Sequence, residues 1–374
     1  MLLKTKGIPH GIDRPVVGRV TFSATGNAEI LISDAYSHET MRRYKAVLSG
    51  LPPLYADSSP GVFSIADTSH LHEGDIVVAH SDGVVNTAYR VNSAHNFLLF
   101  TERCNSNCLM CSQPPRDRDD TDYLYQLHSQ TIPLIPKDCQ ELGITGGEPT
   151  LLGDRFFKLL TQIQQELPDT EVHCLTNGRS FAWQGMADRM GEMNYSRLMF
   201  GIPVYSDYPA QHDYIVQAKD AFHQTVRGLY NLAKKNVRVE LRIVLHQQTI
   251  PRLVKLAKFI YKNLPFAEHV AFMGLEHQGY TPHNIRKLWI DPEDYQQELS
   301  AAVLYLADMG MNVSVYNAQL CVTPGELWEY TRRSISDWKN VYHEECSRCV
   351  MQEKCGGFFA SGMKMHSRGI LAFN

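Results

Sequence analysis

The stretch NFLLFTERCNSNCLMC, residues 96–111, joins a short apolar run to three closely spaced cysteines. The run predicts a buried β-strand, and the loop after it carries Cys104, Cys108 and Cys111. Three thiolates on one tight loop can bind three irons of a cubane cluster and leave the fourth iron without a protein ligand. Zinc motifs usually consist of paired Cys-x-x-Cys units, so the spacing favours iron and sulfur. A structural zinc, with His128 or another residue as fourth ligand, and three unrelated buried cysteines stay open as alternatives.

Composition and length place the chain among globular proteins. Its 374 residues are 44% hydrophobic and 20% charged, and this length predicts roughly two or three domains. No apolar run approaches the roughly 20 residues of a membrane span, and the first residues lack a secretory signal. We therefore expect a cytoplasmic protein without a membrane partner, in which clustered thiols bind metal rather than pair. A net charge of −4 without long basic runs argues against a nucleic acid partner.

Two patterns of sequence follow one another along the chain. Residues 1–95 contain short β-branched runs separated by turn residues, which predicts a small β-rich domain of unknown role. Residues 96–290 alternate continuous apolar runs with amphipathic helical stretches, the pattern of parallel strands connected by helices. The runs that predict strands are NFLLFTE, QELGITGG, EVHCLTNG, RLMFGIPVY, VRVELRIVLH and HVAFMGLE. This region is therefore predicted to be an α/β barrel or open sheet.

Glycine-bearing loops follow the second and third of these predicted strands. The second strand runs into ITGGEP, which contains Gly146 and Gly147, and the third runs into LTNG. Because ligands collect at the carboxyl ends of parallel strands, both loops should meet the cysteine loop at one edge of the sheet. Glycines at such a place let the backbone approach a ligand closely.

The cysteine spacing, followed by Gly146-Gly147-Glu148-Pro149, resembles the radical S-adenosylmethionine (SAM) superfamily. The resemblance covers roughly residues 96–290 and implies a partial (β/α)6 TIM-like barrel. It also implies a 4Fe–4S cluster on the three cysteines, with SAM chelating the open iron. Such an enzyme reductively cleaves SAM to a 5'-deoxyadenosyl radical, which then abstracts hydrogen from a substrate.

The same resemblance implies SAM contacts at matching positions. The segment Thr145 to Glu148 would meet the amino group of SAM, where a carboxylate can accept from an ammonium. Thr176 and Asn177 would lie near the ribose. Met110 stands where the family usually has an aromatic residue against adenine, and its polarizable side chain can serve in that contact.

Two later strand ends carry weaker candidates for the carboxylate of SAM. Ser206 and Arg242 are placed there by the same resemblance. A serine or arginine at a strand end is more often only solvated or salt-bridged, and that alternative stays open.

A second cysteine set lies in the C-terminal part, residues 291–374. Cys346, Cys349 and Cys355 lie close together, and Cys321 lies upstream after a predicted strand. Four thiolates can saturate a second cluster that has no open iron. A four-cysteine zinc site, or an incomplete set with Cys321 simply buried, stays open.

The spacing of this second set resembles the auxiliary-cluster region of peptide-modifying radical SAM enzymes, the SPASM or twitch type. It has fewer cysteines than a full SPASM region, which implies one auxiliary 4Fe–4S cluster. The remaining two cysteines, Cys139 and Cys174, are expected to be buried structural residues.

Finer features resemble a narrower family, the C-type radical SAM maturase of the His-Xaa-Ser system. They are SQPPRDRDD after the first cysteines, and SISDWKN and CSRCVMQEKCGGFFAS near the end. The resemblance implies modification of a ribosomally made precursor peptide or a His-Xaa-Ser repeat protein. It also implies a second radical SAM maturase and an electron donor such as ferredoxin or flavodoxin as partners.

Two other interpretations of function stay open. One is a radical SAM enzyme that acts on a small molecule or RNA. The other is a non-catalytic iron–sulfur or zinc scaffold, against which the Gly-Gly-Glu-Pro loop argues, because a structural cluster needs no contact to the SAM amine.

Overall fold

The computed structural model describes residues 3–25, 29–53, 60–333 and 340–374. Residues 334–339, which carry most of the SISDWKN motif, lie outside the described residues. The chain divides into two compact units. Unit 1 comprises Met1–Phe100, Asp120–Gly143 and Gly153–Glu171, and unit 2 comprises Thr101–Asp119, Ile144–Leu152 and Val172–Asn374. The division into domains 1–95, 96–290 and 291–374 stays a prediction.

Unit 1 contains a mixed sheet of short strands. The strands are β1 Lys4–Lys6, β2 Ile8–His10, β3 Val16–Thr21, β4 Ile30–Ile32, β5 Ala46–Leu48, β6 Gly61–Phe63, β7 Ile76–Ala79 and β8 Val84–Tyr89. They lie in the order β1-β8-β7-β3-β4-β5-β6-β2, and β3 to β6 pair in parallel. The β-branched runs of this region fall on β3, β4, β7 and β8, where buried Val20, Ile30 and Val77 contribute to one apolar core.

The second sheet contains all six strands predicted between residues 96 and 290. Its strands are β9 Asn96–Leu99, β10 Glu141–Thr145, β11 Glu171–Leu175, β12 Leu198–Pro203, β13 Arg238–Leu245, β14 His269–Gly274, β15 Val313–Tyr316 and β16 Thr331–Arg332. They lie in sequential order from β9 to β16. The pairs from β11 to β16 are parallel, which confirms an α/β fold with a parallel-strand sheet. That this sheet curves into a partial barrel stays a prediction.

Helices separate most strands of the second sheet. The helices of the described residues are α1 His38–Arg43, α2 Thr121–Thr131, α3 Asp154–Glu166, α4 Gln184–Met193, α5 Pro209–Val216, α6 Ala221–Ala233, α7 Leu253–Asn263, α8 Ile285–Leu288 and α9 Gln296–Asp308. Helix α7 shows why they form: Leu253, Leu256, Ala257 and Ile260 recur at helical spacing and are buried. Within the described residues, no helix has both the length and the apolar character needed to cross a membrane.

Candidate functional site

The glycine loop after β10 lies against the segment that leads into the cysteine loop. The amide of Gly147 donates to the carbonyl oxygen of Thr101 at 2.7 Å, and the amide of Glu148 donates to that of Arg103 at 2.7 Å. A β-carbon on Gly147 would lie 2.1 Å from the Arg103 oxygen, and one on Gly146 would lie 2.6 Å from the Thr101 oxygen. The two glycines are therefore needed for the backbones to meet, in addition to any role towards a ligand.

The carboxylate of Glu148 is fully buried and links two loops. One of its oxygens accepts from the hydroxyls of Thr150 and Thr176, both at 2.6 Å, and the other accepts from the amide of Asn177 at 2.7 Å. Burial raises the pKa of Glu148, and these hydrogen bonds oppose that shift. The side chain thus fastens the loop after β10 to the loop after β11.

The three cysteines of the first set lie in one loop that carries no disulfide and is only partly exposed. Its backbone is held by bonds from Asn107 to Val216 at 3.0 Å and from Leu109 to Ile215 at 2.9 Å. On the other side, the amide of Tyr280 donates to the Cys111 carbonyl oxygen at 2.9 Å. The loop is therefore fixed by segments that follow two different strands, β12 and β14.

The thiols of this loop are difficult to ionise without a cationic partner. Burial raises the pKa of Cys104 to about 11, with the charge of Glu148 adding to the shift, and burial also raises the pKa of Cys108 and Cys111. A thiolate is the form that binds metal, so desolvated thiols of this kind fit a group that brings positive charge. The donor set, three thiols on a fixed loop, matches the ligands of an iron–sulfur cluster.

Arg179 is a site residue that the sequence interpretation missed. It follows Gly178, whose φ of +75° turns the chain back after β11. The guanidinium donates to the carbonyl oxygen of Asn105 and, at 3.1 Å, to the hydroxyl of Ser106, while its Nε donates to Gln224 at 2.7 Å. In the sequence, Arg179 directly follows LTNG and is the first positively charged residue of that loop, and this position could have identified it as a site residue.

Asn177 also reaches the cysteine loop. Its side-chain amide donates to the Asn105 side chain at 2.6 Å and lies 4.0 Å from the sulfur of Cys104. The predicted residues Thr176 and Asn177 are thus brought to the same edge as the cysteines, as the strand-end reasoning required.

Met110 lies in an apolar cluster rather than on an open surface. Only 7% of it is exposed, and it packs in a group with Leu109, Tyr205 and Ile215. The side chain of Cys108 packs against the same group. The contact between Met110 and adenine stays a prediction.

Arg242 belongs to a buried ionic network on the sheet. Its guanidinium donates to Glu240 at 2.9 Å, and the same carboxylate contacts His269 at 2.7 Å and His173 at 3.4 Å. Burial would raise the pKa of Glu240, but the two histidines and Arg242 hold it well below its usual value. The salt-bridged alternative for Arg242 is therefore present in the structure, and its contact with SAM stays a prediction.

Ser206 is buried, and its hydroxyl accepts from the amide of Tyr208 at 3.1 Å. This bond forms a short turn after β12. Its predicted contact with SAM likewise stays a prediction.

The second cysteine set converges on one small cavity in unit 2. Its lining contains Cys321, Cys346, Cys349 and Cys355. Backbone amides point at two of the sulfurs, from Phe373 to Cys349 and from Gly357 to Cys355, both at 3.4 Å. Within the described ranges, no three His, Cys, Asp or Glu side chains are grouped as the ligands of one metal ion.

The remaining candidates, His128, Cys139 and Cys174, are buried residues. His128 is buried, with its Nε2 2.6 Å from the carbonyl oxygen of Leu99. Cys139 and Cys174 are buried as expected, Cys139 before β10 and Cys174 inside β11.

One protein-family model matches part of the chain. Residues 98–260 match the family model described as the radical SAM superfamily. Among curated proteins, no sequence matches the chain significantly.

Solved structures of low sequence identity share the fold. The crystal structure of Streptococcus suis SuiB bound to S-adenosylmethionine is 13% identical, with a TM-score of 0.52, over 75% of this chain and 76% of SuiB. Native anSMEcpe with bound AdoMet and Kp18Cys peptide is 16% identical, with a TM-score of 0.51, over 74% of this chain and 92% of that protein.

A further SuiB structure, bound to precursor peptide SuiA, is 13% identical, with a TM-score of 0.46, over 60% of this chain. There the chain spans about half of the solved protein, 48% of its length. Residues 98–260, which match that family model, contain both the cysteine loop and the glycine loop that pairs with it.

Proposed function

We propose that this protein binds a 4Fe–4S cluster through Cys104, Cys108 and Cys111 and cleaves SAM reductively at it. The observation that carries the proposal is the backbone pairing of the glycine loop with the segment that leads into the cysteines. When bound, the cluster and SAM would supply one-electron chemistry that yields a 5'-deoxyadenosyl radical. The chain itself positions the thiols and keeps their surroundings apolar, since Leu109 and Met110 are buried.

The SAM contacts are proposed for the residues around this loop. Thr145, Gly146, Gly147 and Glu148 would face the amino group, chiefly through their backbone, because the Glu148 carboxylate already accepts three short hydrogen bonds. Thr176 and Asn177 would lie near the ribose. Met110, Ser206 and Arg242 keep their proposed roles towards adenine and the carboxylate.

We further propose a partial barrel for the core and an auxiliary 4Fe–4S cluster in the extension, residues 291–374. Support comes from the four cysteines that line one cavity and from the amides aimed at two of their sulfurs. Amide donors to sulfur are a known means of tuning such clusters. A SPASM- or twitch-like region would account for this arrangement.

The proposed substrate is a ribosomally made peptide or protein, of the His-Xaa-Ser repeat type. Support comes from the shared fold with SuiB and with anSMEcpe, whose solved structures carry SAM and, for anSMEcpe, also a peptide. A second radical SAM maturase, an electron donor such as ferredoxin or flavodoxin, and a cytoplasmic location belong to the same proposal.

Anaerobic reconstitution tests the first part. The reconstituted chain should bind iron and sulfide and form 5'-deoxyadenosine when dithionite and SAM are added. Cys108→Ala should abolish this product, while Cys139→Ala, which removes a buried thiol of unit 1, serves as the matched control. A cluster-replete chain that cleaves no SAM would contradict the enzyme proposal and favour a scaffold.

Mass spectrometry tests the substrate. A peptide with His-Xaa-Ser repeats should copurify with the chain and change mass during turnover with SAM. Modification of a small molecule or RNA, with the peptide unchanged, would favour the alternative.

A further inference from the structure

A cavity of about 70 Å³ lies in unit 2 at the carboxyl ends of three neighbouring strands. Leu245 and Gly274 are the last residues of β13 and β14, and Asn317 directly follows β15. The facing wall comes from the segment after Cys355, including Phe358 and Phe359. One water molecule needs about 10–15 Å³ of such space, so the cavity has room for a small group such as one side chain.

One wall of this cavity is fastened to the cysteine loop. His277 lines the cavity, and Tyr280, three residues later, donates its amide to the Cys111 carbonyl oxygen at 2.9 Å. Gly279, with a φ of +62°, lies between them, and a β-carbon there would be 2.2 Å from the same oxygen. A group in the cavity would therefore lie beside a segment that touches the proposed radical site.

The cavity combines aromatic walls with the imidazole of His277. Trp289 lies against His277, with ring centres 5.0 Å apart. Both ring nitrogens of His277 are shielded from solvent, and the ring forms a hydrogen bond with the backbone of Met365. Burial lowers the pKa of His277, and this hydrogen bond partly opposes that shift.

A neutral imidazole offers one donor and one acceptor, so the bond to the Met365 backbone leaves one ring nitrogen available to a ligand. The complementary ligand therefore donates a hydrogen bond to the remaining nitrogen. Its flat faces would pack against Trp289 and Phe358, which together with Phe359 line the cavity.

We propose that this cavity is the subsite for one planar polar side chain of the peptide substrate, such as His, Tyr, Asn or Gln. The peptide itself rests on the proposed function. The subsite would select which residue of the peptide is held beside the cysteine loop.

Two variants of the full chain test the subsite by different means. His277→Ala removes the hydrogen-bonding ring. Gly362→Leu fills the cavity, because a β-carbon at Gly362 has only the His277 ring within 4 Å, at 3.8 Å. Their controls are His283→Ala, an exposed residue of the same loop, and Gly325→Leu, where a β-carbon meets nothing within 4 Å.

The probes are N-acetyl-histidine N-methylamide and its leucine counterpart, titrated in saturation-transfer NMR. The histidine probe should bind the unmodified chain and both controls, and at least about tenfold more weakly to His277→Ala and Gly362→Leu. The leucine probe should bind at least about tenfold more weakly than the histidine probe. Unfolding curves establish whether each variant is folded. If His277→Ala is not folded, Gly362→Leu still tests the subsite.

Equal binding by the variants, equal binding of the two probes, or no binding at all would overturn the subsite. SAM cleavage is measured separately on the reconstituted chain. Probe binding without SAM cleavage would reject the proposed function but not the subsite. SAM cleavage without probe binding would reject the subsite but not the proposed function.

Discussion

The backbone amide of Glu148 donates to the carbonyl oxygen of Arg103 at 2.7 Å. This bond and its neighbour from Gly147 to Thr101 join two motifs that lie more than 40 residues apart in the chain. The glycine loop is consequently bonded to the segment that leads into the cysteines, and we expect a change in the glycine loop to shift that segment.

Gly147→Ala should damage this structure although it adds a single methyl group. The added β-carbon would lie 2.1 Å from the Arg103 oxygen, so the backbones must separate. Overpacking of this kind costs about 1–3 kcal/mol. We expect a lower free energy of unfolding and less iron per chain after reconstitution.

The control for this change is Gly185→Ala in α4, where a β-carbon meets nothing within 4 Å. It should leave iron binding unchanged and stabilise the helix slightly. Equal iron content in Gly147→Ala and Gly185→Ala would contradict the role assigned to the backbone pairing.

Arg179→Gln should loosen the cysteine loop and make its thiols harder to ionise. The guanidinium binds Asn105 and Ser106, and its charge opposes the rise in the pKa of Cys108 that burial causes. Without it, alkylation of the cluster-free protein by iodoacetamide should shift to higher pH and cluster formation should slow. Mass spectrometry of alkylated peptides measures the pH dependence at each cysteine.

Arg155→Gln provides the matched control, because Arg155 pairs with Asp122 on the surface of unit 1. Exposed ion pairs contribute about 0–1 kcal/mol, so this variant should behave like the unmodified chain. An unchanged alkylation profile in Arg179→Gln would show that the loop does not depend on this arginine.

Cys349→Ala should remove one of two clusters. We expect iron to fall from about eight towards about four atoms per chain, because the auxiliary cluster loses one of four thiolates and, unlike the first cluster, has no SAM proposed to bind the iron left open. Colorimetric iron assay and electron paramagnetic resonance of the reduced protein measure the loss. Cys139→Ala should retain the full amount, whereas an unmodified chain with only about four irons would contradict the auxiliary cluster.

Acidification should destabilise the protein through His128. Burial lowers its pKa to about 4, against about 6.5 in an unfolded chain. Between these values the unfolded state binds a proton that the folded state does not, so stability falls as pH falls through this window. Each such histidine contributes a slope of about 1.4 kcal/mol per pH unit.

Urea unfolding at several pH values measures this slope. His128→Gln should lower the slope of the free energy of unfolding against pH by the amount that one proton contributes. His212, whose pKa burial also lowers to about 4, should keep its own contribution to the slope. The exposed His283→Gln is the control. An identical slope in His128→Gln would mean that His128 is not buried in its neutral form.

The six strands between residues 96 and 290 could be predicted from sequence because each run is mainly apolar, and α3, α6 and α7 carry apolar residues at helical spacing. The edge where the site lies followed from the same reasoning, since loops after parallel strands share one side of a sheet. Glu148 shows the limit of that reasoning. Its position was predicted, but the buried bonds to Thr150 and Thr176 depend on distances between loops that no local pattern contains.

The residues alone place three cysteines in one predicted loop and four in the C-terminal part, and they indicate the order of the six strands between residues 96 and 290. Which groups hold that loop depends on the packed fold: the carbonyl oxygens of Thr101 and Arg103 meet Gly147 and Glu148, and the guanidinium of Arg179 contacts the loop itself. Tertiary packing also places His277 beside Trp289 in the wall of a cavity. The physical reason is that hydrogen bonds and close contacts require positions fixed to within a fraction of an ångström, which only the packed strands provide.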